Sequence, residues 1–103
     1  MRQPKVEVVE RDVEYEQPVL VKVSWSGVGA VEHEMWIGVG DVFWRRLSER
    51  RRRMEVTVTG FFSDGTKAFV DRSTSRRKQA ISVANLARGF ERGARGPHRG
   101  PSA

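Results

Sequence analysis

The chain of 103 residues contains no cysteine, two histidines, one tyrosine and no apolar run longer than a few residues. Without cysteine there is no disulfide framework, no thiolate zinc site and no sulfur nucleophile, a composition that fits a reducing cytoplasm. His33 and His98 stand 65 positions apart. With no second ligand at a metal-binding spacing they do not make a structural metal site. A lone unplaced histidine builds no Ser-His-Asp arrangement either, and Asp41 and Asp64 are accounted for by a strand opening and a turn. Gly38-Val39-Gly40 lacks the third glycine and the following helix of a phosphate-binding loop. No stretch is long enough to span a bilayer, and the first sixteen residues are too charged for a signal peptide. Together these absences point away from an enzyme, a cofactor, a metal and a membrane, towards a soluble cytoplasmic chain.

What is present is charge, unevenly placed. The 19 basic and 13 acidic residues give a formal net charge of +6. Residues 1–44 sum to −4 and residues 45–103 to +10, the latter from fifteen basic residues, thirteen of them Arg, against five acids. A basic region of this density concentrates polyanions and speeds encounter with them, which makes nucleic acid the default partner. The apolar share is ordinary for a folded chain, but a chain this short buries only about 60–65% of its unfolded surface. One domain over residues 1–90 is therefore expected. Residues 91–103, rich in Gly, Pro and Arg, carry almost nothing apolar and read as a flexible basic tail.

Period-two alternation dominates the domain, so strands are expected rather than helices. Val19, Val21, Val23 and Trp25 share one face of a strand. The glycines after Ser26 make a turn, and Met35 and Ile37 alternate with Trp36 in the returning strand, giving an N-terminal hairpin within residues 1–38. Val42 to Trp44 forms a short strand ahead of an Arg-rich loop from Arg45 to Arg53. Met54, Val56 and Val58 alternate in a long strand that continues to Phe61, where Gly60 marks a bulge. Asp64-Gly65 is a hairpin turn, Ala68 to Val70 the partner strand, and residues 73–77 a polar connection. Lys78 to Val83 makes a further strand, and Val83 to Ala87 one helical turn.

From residue 39 onward, Gly40-Asp41-Val42-Phe43-Trp44, the bent strand Met54 to Phe62, the Asp64-Gly65 turn, Ala68-Phe69-Val70 and Ile81 to Leu86 together resemble an SH3-like small β-barrel of the KOW or Tudor kind. The Gly-Asp opening, the Arg-rich loop and the closing Ile and Leu are also similar to small basic proteins of actinobacteria and their phages. The resemblance covers about half the chain and implies a barrel over residues 39–90, with the N-terminal strands as an extension or as an edge at which two copies pair as a homodimer. The Gly-Asp opening is similar as well to toxins of the MazF type, whose barrel cuts RNA; those proteins place it near the N-terminus, whereas here only 63 residues follow Gly40.

Three groups of side chains stand out. Arg45, Arg46, Arg50, Arg51, Arg52 and Arg53 form the densest cation cluster, and guanidinium supplies the permanently charged, multiply donating group that phosphate contacts need. Arg72, Arg76, Arg77 and Lys78 form a second. Trp36 and either Phe61 or Phe69 are expected on the face opposite the aliphatic residues, where an aromatic beside arginines stacks nucleic-acid bases; Trp36 and Phe61 are the two taken as candidates. The expectation is a mostly β, non-enzymatic protein that binds nucleic acid with low sequence specificity. The alternative is a protein-interaction module, an inhibitor or adaptor docking on an enzyme; a MazF-like endoribonuclease stands third.

Overall fold

The computed structural model describes residues 4–47, 52–72 and 75–97, with the side chains of residues 52 and 75–77 left out. Three strands, β1 (Lys5–Arg11), β2 (Pro18–Ser26) and β3 (Glu32–Gly38), form one antiparallel sheet in the order β1-β2-β3. Five more, β4 (Val42–Leu47), β5 (Arg52–Phe61), β6 (Lys67–Arg72), β7 (Ser75–Ser82) and β8 (Glu91–Arg92), form a second antiparallel sheet in the order β7-β6-β5-β4-β8. The fold is thus mostly β, in two sheets rather than one closed barrel.

Val21 and Val23 of β2 and Ile37 of β3 face Phe43, Val56, Val58, Ala68 and Val70 of the larger sheet across one apolar core. A short helix, α1 (Val83–Gly89), closes that core. Its residues Val83, Leu86 and Ala87, with Phe90 beyond its end, recur at the spacing of one helical face and are all buried. The Ser82 hydroxyl accepts a hydrogen bond from the Asn85 N–H at 3.0 Å and caps the first turn.

The expected bulge falls between Val58 and Gly60, where Val58 pairs with Val70 but Gly60 pairs with Phe69. The extra residue reverses the alternation. Phe61 therefore rejoins the core face opposite Ala68 and is only 3% exposed, so of the two rings expected for the outer face the site candidate Phe61 is the one that does not reach it. Phe69 is the ring left outside, 40% exposed across from Gly60.

The β5–β6 turn is built as its sequence requires. The Asp64 carboxylate accepts from the Thr66 N–H at 3.0 Å and the Thr66 hydroxyl at 2.7 Å. These two bonds hold the carboxyl below the usual aspartate range. Gly65 adopts φ +75° and is pressed against β1 and β2: a Cβ there would stand 2.8 Å from Val8 Cγ2 and 3.1 Å from Val21 Cγ1. Arg11 spans the two sheets at the same place, donating to the carbonyls of Glu16 at 3.0 Å and Ser63 at 3.1 Å.

Residues 91–97 are not a free tail. Glu91 and Arg92 pair with Trp44 and Phe43 on the edge of β4, the Gly93 N–H donates to the Val42 carbonyl at 2.8 Å, and the Val42 N–H donates to the Ala94 carbonyl at 2.8 Å. Glycine content suggested disorder, whereas here it permits close approach. A Cβ on Gly96 would collide with the carbonyl oxygen of Val39. Residues 98–103 lie outside the description.

Candidate nucleic-acid interface

β4 does not stop at Trp44. It continues through Arg45, Arg46 and Leu47, paired with Met54, Arg53 and Arg52 of β5, so the Arg-rich segment is largely strand rather than loop. Arg50 and Arg51 lie outside the described residues, as do the side chains of Arg52, Arg76 and Arg77. β7 likewise begins at Ser75, opposite Arg72, so residues 75–77 are strand and not connection.

Antiparallel pairing sends the β4–β5 and β6–β7 connections out of the same end of the five-stranded sheet. Leu47 pairs with Arg52 at one tip and Arg72 with Ser75 at the other, and Arg72 lies beside Val56 on the intervening strand. The two basic clusters, 19 or more positions apart in sequence, therefore share one end of one sheet.

Alternation then sorts the cations onto two faces. Trp44, Arg46 and Arg53 belong to the outer face of the sheet, opposite the face that carries Phe43, Met54 and Val56 into the core. Arg46 and Arg53 are directly cross-strand, an arrangement of like charges that is destabilising in itself. Arg53 lies over the Trp44 ring at 4.3 Å from its centroid. Arg45, on the core-facing side, lies over Phe90 at 5.2 Å. A guanidinium resting on a ring keeps its in-plane N–H groups free for an acceptor.

Among the described residues the ion pairs are Lys22 with Glu7 and Glu34, at 3.5 and 3.8 Å, and Arg92 with Asp41 at 3.1 Å. Arg45, Arg46, Arg53 and Arg72 make none with a described residue. Glu91 borders a cleft of about 480 Å³ that is otherwise lined by Trp44, Arg45, Arg46 and Gly89. Lys78 is exposed on β7.

Trp36 does not join this surface. It is half-buried on β3 in the smaller sheet, opposite Lys22, and its indole N–H donates to Glu34 at 3.1 Å. Phe61 is excluded by burial. Trp44 is the aromatic that stands among the arginines, and carrying the alternation on from Phe43 through Arg46 would have placed it there.

A second set of residues went unread in the sequence. Asp41 is fully buried and accepts hydrogen bonds from the Gly38 N–H at 2.9 Å, the Gly96 N–H at 2.7 Å and Arg92 Nη1 at 3.1 Å. Arg92 also donates to the Trp36 carbonyl and lies over the Phe43 ring. The pair binds the chain end to both sheets and is structural. Nothing local links positions 41 and 92, so no sequence signal announced it.

No group of three or more His, Cys, Asp or Glu side chains able to hold a metal occurs among the described residues. Among them too, no helix is long and apolar enough to cross a membrane. No family model matches the chain, and neither a curated protein nor a solved structure does, so its function is argued from its own geometry.

Proposed function

We propose that the protein is a non-enzymatic nucleic-acid-binding module that grips phosphates with the arginines at the end of the β4–β7 sheet. The observation that carries the reading is the cross-strand pair Arg46 and Arg53, held together without a carboxylate partner among the described residues. A phosphate between or beside them would remove the repulsion and accept from both guanidinium edges. The acidic smaller sheet leaves this end as the place where a polyanion is attracted.

The element order supports an SH3-like reading of the larger sheet: a short aromatic strand after Gly-Asp, a long strand bent at Gly60, two further strands and a short helix. Cytoplasmic nucleic acid, DNA or RNA, is the partner class proposed, with contacts to the backbone rather than to base edges.

The test is anisotropy of a labelled oligonucleotide, single-stranded and duplex, between about 50 and 200 mM salt. Four arginine–phosphate contacts give a logarithmic salt slope of about −4. Changing Arg46 and Arg53 to Ser should flatten it by about 2. Absence of binding at the lowest salt would overturn the proposal, and cleavage of the RNA would favour the endoribonuclease reading.

A second reading rests on the β1–β2 turn, where Val13 and Tyr15 are exposed beside Asp12, Glu14 and Glu16. An apolar pair ringed by acids suits a basic protein partner, as an adaptor or inhibitor would offer. Failure of oligonucleotide binding, with capture of a partner that is lost on changing Val13 and Tyr15 to Ser, would favour it.

A further inference from the structure

The strand pairings leave one part of the larger sheet only two strands wide. β8 pairs with β4 at Phe43 and Trp44, and β6 pairs with β5 from Phe61 back to Val56, opposite Arg72. Beyond those points β4 and β5 continue as partners of each other alone: Arg45 pairs with Met54, Arg46 with Arg53 and Leu47 with Arg52. Among the described residues no third strand flanks this ribbon, and the core reaches no further than Met54. Arg45, Arg46, Leu47 and Arg53 are exposed. Three ladder pairs carry the ribbon about 10 Å past Trp44.

A two-stranded ribbon is marginal by itself. This one continues two strands whose inner residues Phe43 and Val56 are fully buried, so its direction is set by the core. Arg53 over the Trp44 ring braces its base. Its cations stand on both sides, Arg46 and Arg53 together on the outer face and Arg45 on the opposite one. A nucleic acid lying flat on the sheet would meet only one of these faces. A projecting arm with cations on both suits a slot whose two walls carry phosphates.

We infer that the β4–β5 ribbon enters the major groove of B-form duplex DNA, with Arg46 and Arg53 reaching the phosphates of one wall and Arg45 those of the other. The inference rests on the nucleic-acid reading and chooses among its partners. A strand pair with side chains on both faces is about 10 Å thick, which the B-DNA major groove, about 12 Å wide, admits and the minor groove, about 6 Å wide, does not. Double-stranded RNA closes the same route, because its major groove is deep and narrow. A single strand offers no second wall.

The test compares one sequence as a DNA duplex, an RNA duplex and a DNA single strand, by anisotropy at about 100 mM salt. The DNA duplex is expected to bind about tenfold tighter or more than either other form. Dimethyl sulfate reports the groove directly, since guanine N7 lies in the major groove and adenine N3 in the minor. Saturating protein should protect N7 and leave N3 reactive. Arg45→Ser and Arg46→Ser, both at exposed positions, should each flatten the logarithmic salt slope on the DNA duplex by about 1.

An RNA duplex or a single strand bound within about tenfold of the DNA duplex overturns the inference and leaves the nucleic-acid reading standing. Protection of N3 in place of N7 does the same. So does a slope that responds to Arg46→Ser and not to Arg45→Ser, the sign of a duplex held against the outer face alone. Binding to none of the three forms overturns the nucleic-acid reading itself, and the ribbon's role falls with it.

Discussion

Replacing Asp41 with Ala should be among the most damaging single changes in this chain. The carboxylate is fully buried, accepts two backbone N–H groups and Arg92, and joins the β3–β4 connection to the chain end. Truncation leaves Arg92 partly buried without its counter-ion, a loss of about 3–5 kcal/mol for pairs of this kind. It also strips the Gly38 and Gly96 N–H groups of their acceptor, at about 1 kcal/mol or more each where water cannot replace it. Partial relaxation of the 91–97 strap reduces the total, so about 4 kcal/mol is expected. A domain of this size has about 5–15 kcal/mol in all, and the melting temperature should fall by about 15–30 °C. Because the unpaired Arg92 causes part of the loss, Asp41→Ala combined with Arg92→Met should be less unstable than the sum of the two single variants, with a coupling of about 2 kcal/mol. Thermal melts followed by circular dichroism give all four corners of the cycle. A loss below about 1 kcal/mol for Asp41→Ala, or strict additivity, would refute the latch.

Gly65→Ala combines a positive φ with a Cβ in contact with Val8 and Val21, and should cost about 2–4 kcal/mol, read as a lower urea midpoint at constant m. The Asp64 carboxyl, held below its ordinary value by Thr66, stabilises the fold above the unfolded-state value of about 4, and that contribution is lost as the pH falls through the lowered folded-state value. Asp64→Asn should therefore weaken the protein at neutral pH and reduce its sensitivity to acid below about pH 4, measured as melting temperature against pH.

The strands were legible wherever one face is apolar and the other polar. β2, β3, the Met54 to Val58 part of β5 and the Asp64-Gly65 turn follow directly from period and turn chemistry. The Arg-rich segment was not legible as strand, because consecutive arginines carry no alternation; its pairing comes from Met54 and Val56 holding β5 in register against Phe43. The alternation did not choose between Phe61 and Phe69 for the outer face although the bulge at Gly60 was foreseen, since an inserted residue changes the parity of everything after it. Residues 91–97 were misread because their ordering comes from backbone hydrogen bonds and one buried ion pair, neither of which needs apolar side chains. Of the candidate site, the gathering of the two cation clusters at one sheet end follows from antiparallel order, whereas the ring of Trp44 under Arg53 depends on packing that composition does not encode.

The claim that phosphate contacts concentrate at the basic end of the larger sheet is tested most directly by amide chemical-shift mapping of the labelled protein titrated with an oligonucleotide at about 50 mM salt. The account predicts fast or intermediate exchange shifts confined to residues 44–47, 53–56, 70–72 and 75–79, with β1, β2 and β3 unmoved. Shifts centred on the β1–β2–β3 sheet, or none at saturating oligonucleotide, would contradict it.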